Sequence, residues 1–182
     1  MQILSTIKSK SSVLNELMIV MGGALLLFAA SQVEIPLKPV PITLQSVAVM
    51  LIGLTYTPRR ALEALLLWIG LGAAGVPVLS GFAGGVACLG GPTLGYLVGF
   101  VVSVYLMATL KQKYFLSLWV SDALLCLMAT LILYAFGVAW LSYLIGFPNA
   151  IMFGFVPFIL PGMVKVGLLC TALQILRHYK RG

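Results

Sequence analysis

Lys165 lies inside a long apolar run, one helical turn after Pro161 and Gly162, and its ammonium is the group best placed to do chemistry. At about 1.5 Å per helical residue, its spacing from Arg177 sets it roughly 18 Å from the nearest basic boundary, near the middle of a bilayer. A lysine at that depth costs roughly 2.5–3.5 kcal/mol even on the lower insertion scales, and its stem is too short to reach the interface easily. It is therefore expected to face a polar cavity. Pro157, Pro161 and Gly162 precede it and are expected to break the helix. Such a break is tolerated at depth only where protein or a water-lined cavity satisfies the freed backbone groups. A cation beside unwound backbone suits an anionic solute. The competing reading is a structural lysine neutralised by Asp122 or by a backbone carbonyl.

The other chemistry-bearing residues exclude more than they offer. An intramembrane enzyme needs proton-transfer groups or metal ligands that converge inside the bundle. His178 lies in the basic C-terminal tail and reads as a solvated interfacial histidine. Glu63 follows Arg59 by four residues and Arg60 by three at an expected helix start, the spacing of an interfacial ion pair. Asp122 is the one acidic residue well within an apolar run, close enough to its end for solvation or a tail cation to stabilise it; a direct functional role is the alternative. No Ser/His/Asp set, HExxH pattern or pair of carboxylates can be assembled, so no catalytic residue, metal site or cofactor is expected. Cys88, Cys126 and Cys170 lack metal-ligand spacing and read as unpaired packing residues. A Walker A pattern is absent, so ATP-driven transport would need a separate ATPase subunit.

Two loops look built to enclose something. In Glu34-Ile-Pro-Leu-Lys-Pro-Val-Pro-Ile, prolines 36, 39 and 41 enforce a stiff, extended, non-helical segment, and Gln45 follows close behind. In Ser80-Gly-Phe-Ala-Gly-Gly-Val-Ala-Cys-Leu-Gly-Gly-Pro, the glycines, Gly84 and Gly85 among them, permit tight turns and close approach of a ligand. This second loop lacks the strand-to-helix context of a phosphate cradle. Downstream, Gly91, Gly95, Gly99 and Ser103 recur every four residues, a stripe expected to let a neighbouring backbone pack closely. Tyr96 sits beside it and, with Gln45 and Lys165, offers polar handles in an otherwise apolar pocket.

The elements that must position these residues are membrane spans. Hydrophobic residues make up 62% of the 182 and charged residues 8%, outside the composition of a water-soluble domain. Six spans are predicted, near Val13 to Ala30, Ile42 to Thr57, Ala61 to Val76, Thr93 to Leu110, Phe115 to Ile145 and Ala150 to Leu176. The fifth is too long for one upright helix and is expected to tilt, kink near Gly137, or end in an interfacial segment with Trp140 and Tyr143. Lys8, Lys10, Arg59, Arg60, Lys111, Lys113, Arg177, Lys180 and Arg181 all fall on one side of this layout, and the opposite loops carry only Lys38. The positive-inside rule then puts both termini in the cytoplasm. The same placement explains the net charge of +7 without nucleic acid. The first segment reads as an uncleaved helix rather than a secretory signal, and residues 1–182 as one integral membrane domain.

Read in order, Ile35-Pro-Leu-Lys-Pro-Val-Pro-Ile-Thr-Leu-Gln45, Pro58-Arg-Arg60, Gly72-Ala-Ala-Gly-Val-Pro-Val78, Gly84-Gly85 and Gly91-Pro-Thr-Leu-Gly-Tyr96 strongly resemble the BioY family. Its members are biotin-binding S components of energy-coupling factor (ECF) transporters, and the likeness runs from the first span to Lys165. The resemblance implies an all-α, six-helix S-component bundle in the bacterial cell (inner) membrane, surrounded by lipid, that takes biotin from outside. It also implies partnership with a coupling transmembrane protein and cytoplasmic ATPases, although some members work without a dedicated set. Biotin combines a carboxylate, a ureido ring and an apolar ring and tail. Lys165 is expected to make a charge-assisted contact with it, Gln45, Tyr96 and Thr93 to supply polar contacts, and Phe82 with the Gly84–Gly85 backbone to cover the rings. Arg59, Arg60 and Glu63 are expected at the coupling interface. The chain departs from the family in three places: Gly162 stands where an aspartate is usual, Leu94 replaces a glycine, and Ala24 is followed by Phe28 instead of a second alanine four residues on. The loss of the acid leaves a carrier for another small carboxylate as the alternative function.

Overall fold

Long apolar runs leave the backbone no hydrogen-bond partner in lipid except itself, and the chain is accordingly helical almost throughout. The computed structural model describes residues 2–114 and 119–179, with side chains from residue 13. Lys180, Arg181 and the beginning of the fifth predicted span at Phe115 lie outside the described residues, as do the side chains of Lys8 and Lys10. In chain order the elements are α1 (Gln2–Gln32), β1 (Glu34–Ile35), β2 (Ile42–Thr43), α2 (Gln45–Thr55), α3 (Pro58–Ala73) and a 3-10 turn (Ser80–Phe82). Then follow α4 (Val86–Leu89), α5 (Leu94–Tyr114), α6 (Trp119–Ile145), α7 (Phe147–Gly154) and α8 (Val156–Tyr179). Among the described residues four stretches are long and apolar enough to cross a membrane: Val13–Gln32, α5, α6, and Phe147–Tyr179, which joins α7 to α8.

The second predicted span differs most from expectation. Its first residues, Ile42 and Thr43, are a strand that pairs antiparallel with Ile35 and Glu34. The three prolines keep the intervening segment out of a helix, so the chain doubles back as a hairpin and α2 starts only at Gln45. With 11 residues, α2 is about 16 Å long, short of a hydrocarbon core of about 30 Å. Helix α3 opens on Pro58, where a fixed φ and a missing N–H suit the first turn, and not at Ala61.

Of the alternatives for the fifth span, a break near Gly137 is not formed, and α6 runs unbroken to Ile145 before Gly146 turns the chain at φ 83°. Gly137 serves packing instead. A Cβ there would lie 2.3 Å from the Tyr96 ring, and one on Gly95 would lie 2.4 Å from the Phe136 carbonyl oxygen. The small-residue stripe of α5 thus brings it against α6 with Tyr96 filling the gap, and Trp140 Nε1 donates to the Gly91 carbonyl at 3.0 Å.

The sixth span is broken, but two residues before Pro157 and not at Pro161 or Gly162. Phe155, at φ −123° and ψ −57°, separates α7 from α8, and α8 continues through Pro161 and Gly162. Pro157 occupies the second position of α8, where its absent N–H leaves no bond unmade.

Buried polar groups fasten both ends of the bundle. Trp68 Nε1 and Ser31 Oγ each donate to the Val78 carbonyl at 2.9 Å, which ties α1 and α3 to the loop after α3. At the other end Asp122, 1% exposed, accepts from Lys111 at 2.5 Å and from Arg177, joining α5, α6 and α8. Arg59 pairs with Glu63 at 2.7 Å as its spacing predicts, whereas Arg60 pairs with Glu16 on α1. Cys88, Cys126 and Cys170 are free thiols, the latter two buried between α6 and α8.

Removing one member of a buried ion cluster strands the others, so Asp122→Ala is expected to destabilise the protein by about 3 kcal/mol, read as a lower thermal midpoint in detergent. Gly137→Ala forces a methyl into the Tyr96 ring and is expected to cost about 1–3 kcal/mol in the same assay.

Candidate functional site

A cavity opens where the β1–β2 hairpin, the first turn of α2 and the facing sides of α5, α6 and α8 converge. The centre of a water-sized sphere can occupy about 70 Å³ of it, well beyond the roughly 10–15 Å³ that holds one water. Val40, Pro41, Leu79, Leu97, Phe100, Leu133 and Phe158 supply apolar walls. Thr43, Gln45, Ser46, Ser80, Thr93, Tyr96, Thr130, Tyr134 and Lys165 supply the polar atoms, and among the described residues no aspartate or glutamate lines the space.

Lys165 projects from the third turn of α8 toward the junction of β2 and α2. Its Nζ donates to the Thr43 carbonyl at 2.5 Å and to Ser46 Oγ at 3.3 Å. The carbonyl half of the structural reading is therefore realised, while Asp122 is engaged with Lys111 and Arg177. An ammonium has three protons, and two are accounted for. It also lies beside the first turn of α2, whose peptide dipoles present positive charge. Two positive ends meet with no carboxylate between them. An anion placed there would accept from Lys165 and interact favourably with the helix start.

Gln45, 8% exposed, is held in place by Thr43, whose hydroxyl donates to its Oε1 at 2.9 Å and accepts from its backbone N–H at 3.3 Å. Tyr96 is clamped by the Gly95–Gly137 contact described above, and its hydroxyl donates to the Gly154 carbonyl at 2.6 Å. That carbonyl is left without an intrahelical partner by the α7–α8 break, so a cavity-lining side chain caps the interrupted helix. Thr93 reaches the cavity from the residue before α5.

Four of the sequence-predicted contacts thus meet: Lys165, Gln45, Tyr96 and Thr93. Phe82, Gly84 and Gly85 are not brought to the cavity lining. The Phe82 ring is 65% exposed and lies edge-on to Phe28 with centroids 6.4 Å apart. Gly84 packs on the Gly75–Val76 backbone, where a Cβ would stand 2.6 Å from the Val76 oxygen, and Gly85 N–H donates to the Gly72 carbonyl at 2.7 Å. Both glycines fold their loop onto the end of α3. Arg59, Arg60 and Glu63 instead line a separate open groove with Glu16, Leu17 and Val20 from the middle of α1.

Thr43, Ser46, Thr130 and Tyr134 were not singled out from sequence. A signal existed for part of this set: Phe158, Gly162 and Lys165 share one face of α8 by i, i+4, i+7 spacing, and Thr130 with Tyr134 shares one face of α6.

Comparison with known proteins agrees with this architecture. A family model described as the BioY family matches residues 5–181. A Rickettsia prowazekii protein named "Probable biotin transporter BioY" is 34% identical over 175 residues, covering 96% of this chain and 89% of the relative. A Thermotoga maritima protein named "Biotin transporter BioY" is 35% identical over 156 residues, covering 85% and 90%. A crystal structure titled as the S-component for biotin from an ECF-type ABC transporter superposes with a TM-score of 0.82 at 23% identity, covering 92% of this chain and 93% of its own, and so shares the fold. By the extent of the family match and the identity to these relatives across most of their lengths, the chain belongs to the BioY family.

Proposed function

We propose that this protein is the biotin-binding subunit of a membrane transporter, which captures biotin from the outside and carries it inward. The observation that carries the reading is the Lys165 ammonium, set beside the first turn of α2 in a largely apolar cavity with no lining carboxylate. Such a site accommodates a single anionic group attached to an apolar body, and biotin has that form. Its carboxylate would meet Lys165 and the start of α2, while Gln45, Tyr96 and Thr93 would contact its polar ring. The names of the relatives support the same ligand.

The topology that fits this role has six spans with both termini in the cytoplasm. Helices α2 and α3 form two short spans, and α7 with α8 forms one interrupted span. Arg59, Arg60, Lys111, Lys113 and Arg177 would then share the cytoplasmic side. Large apolar side chains exposed along α6 and α8, such as Leu131, Leu160 and Leu168, fit a lipid-facing surface. The solved structure sharing this fold is titled as part of an ECF-type ABC transporter. On that analogy an ECF coupling protein and its ATPases supply the energy, with the groove of Arg59, Arg60 and Glu63 as part of the docking surface.

Lys165→Ala is expected to weaken biotin binding by about 10- to 150-fold, the range for a lost charge-assisted hydrogen bond, with Lys165→Arg weakened less. Binding of labelled biotin to protein in detergent measures both, and unchanged affinity in both variants would remove Lys165 from the site. Cells lacking their own importer are expected to accumulate labelled biotin when they express this chain with an ECF module. Uptake of another labelled small carboxylate with no accumulation of labelled biotin would favour the alternative substrate.

A further inference from the structure

Tyr134 on α6 meets Gly162 on α8 at the cavity wall, where a Cβ built on Gly162 would lie 2.5 Å from the Tyr134 oxygen. The Tyr134 hydroxyl donates to the Phe158 carbonyl at 2.8 Å. A phenol has one proton, so with that proton committed to α8 the oxygen offers the cavity only its lone pairs. The aromatic ring is fixed by Phe155 and Phe158, at centroid distances of 5.4 and 6.3 Å. Lys165, by contrast, donates only. The cavity therefore carries a donor at the α2 junction and a rigid acceptor on the α6–α8 wall.

We propose that the Tyr134 hydroxyl is a specificity-determining contact that accepts a hydrogen bond from a ligand N–H, and that Gly162 leaves the space this hydroxyl occupies. The ligand class it selects is a carboxylate that also carries a urea- or amide-type N–H. The inference rests on the biotin reading above and adds to it the residue and the polarity with which the ureido ring is recognised. Any side chain at position 162 takes the place of the acceptor, so the pair acts as one unit.

The full-length protein in detergent, titrated with biotin, provides the test. Tyr134→Phe keeps the ring and removes the oxygen, and is expected to bind biotin about 5- to 30-fold more weakly. Gly162→Ala displaces the hydroxyl and is expected to lose a similar factor. In the Tyr134→Phe background it should lose nothing further, because the next nearest atoms, Tyr134 Cζ at 3.7 Å and Thr130 Cγ2 at 3.8 Å, are in ordinary contact. A biotin analogue methylated on its ureido nitrogens cannot donate, and Tyr134→Phe is expected to bind it as the wild type does. Unchanged biotin affinity in Tyr134→Phe, equal losses for biotin and the methylated analogue, or additive losses in the double variant would each overturn the proposal. Wild-type protein that binds no biotin overturns the underlying reading, and that result appears before any substitution is made.

Discussion

An ammonium held away from bulk water by a carbonyl and a hydroxyl is the constraint around which this molecule is arranged. Lys165 is stable in the membrane interior only because Thr43 and Ser46 meet it there, and they can do so only because the chain before α2 is a hairpin instead of a helix. The prolines that look like a simple interruption of the sequence therefore place the partners of the buried cation. A neutral hydrogen-bonded shell stabilises a charge less than an opposite charge does. The cavity thus retains a demand for an anion that a built-in carboxylate would have met.

The broken sixth span imposes the second requirement. Interrupting a helix in lipid exposes carbonyls that water cannot reach, and each must find a donor within the protein. Tyr96 supplies a donor from α5 to the Gly154 carbonyl at the break, and Tyr134 on α6 adds a donor to the Phe158 carbonyl within α8. Both tyrosines also line the cavity, so the side chain that caps the interrupted helix is part of the cavity wall. The cavity wall and the integrity of the break therefore share one hydrogen-bond set.

Much of this was legible in the chain. Lys165 announced itself through the cost of its depth, and Gln45, Thr93 and Tyr96 through their place beside constrained loops. What failed did so for identifiable reasons. Glycine-rich segments such as 80–92 permit many paths, and composition does not reveal that Gly84 packs on the Val76 backbone. Prolines mark where a helix is weakened but not where it yields, and Pro157 and Pro161 were accommodated while Phe155 was not. Gly137 illustrates the same ambiguity in reverse, since a residue that permits bending was used for close contact with Tyr96. Tyr134 was missed because the face it shares with Thr130 gains meaning only once α6 is known to stand opposite Lys165.

The ion cluster at Asp122 has a mechanical corollary. Three helices are riveted together at that end, whereas the opposite rim is a two-residue-per-strand hairpin and an interrupted helix. Neutral hydrogen bonds, those of Trp68 and Ser31 to Val78 among them, hold that rim in place of an ion cluster, so deformation of such a body concentrates there, with the rivet as fulcrum. Position 155 lies about 33 Å along the helix from Arg177, so a tilt of only about 5° displaces it by about 3 Å.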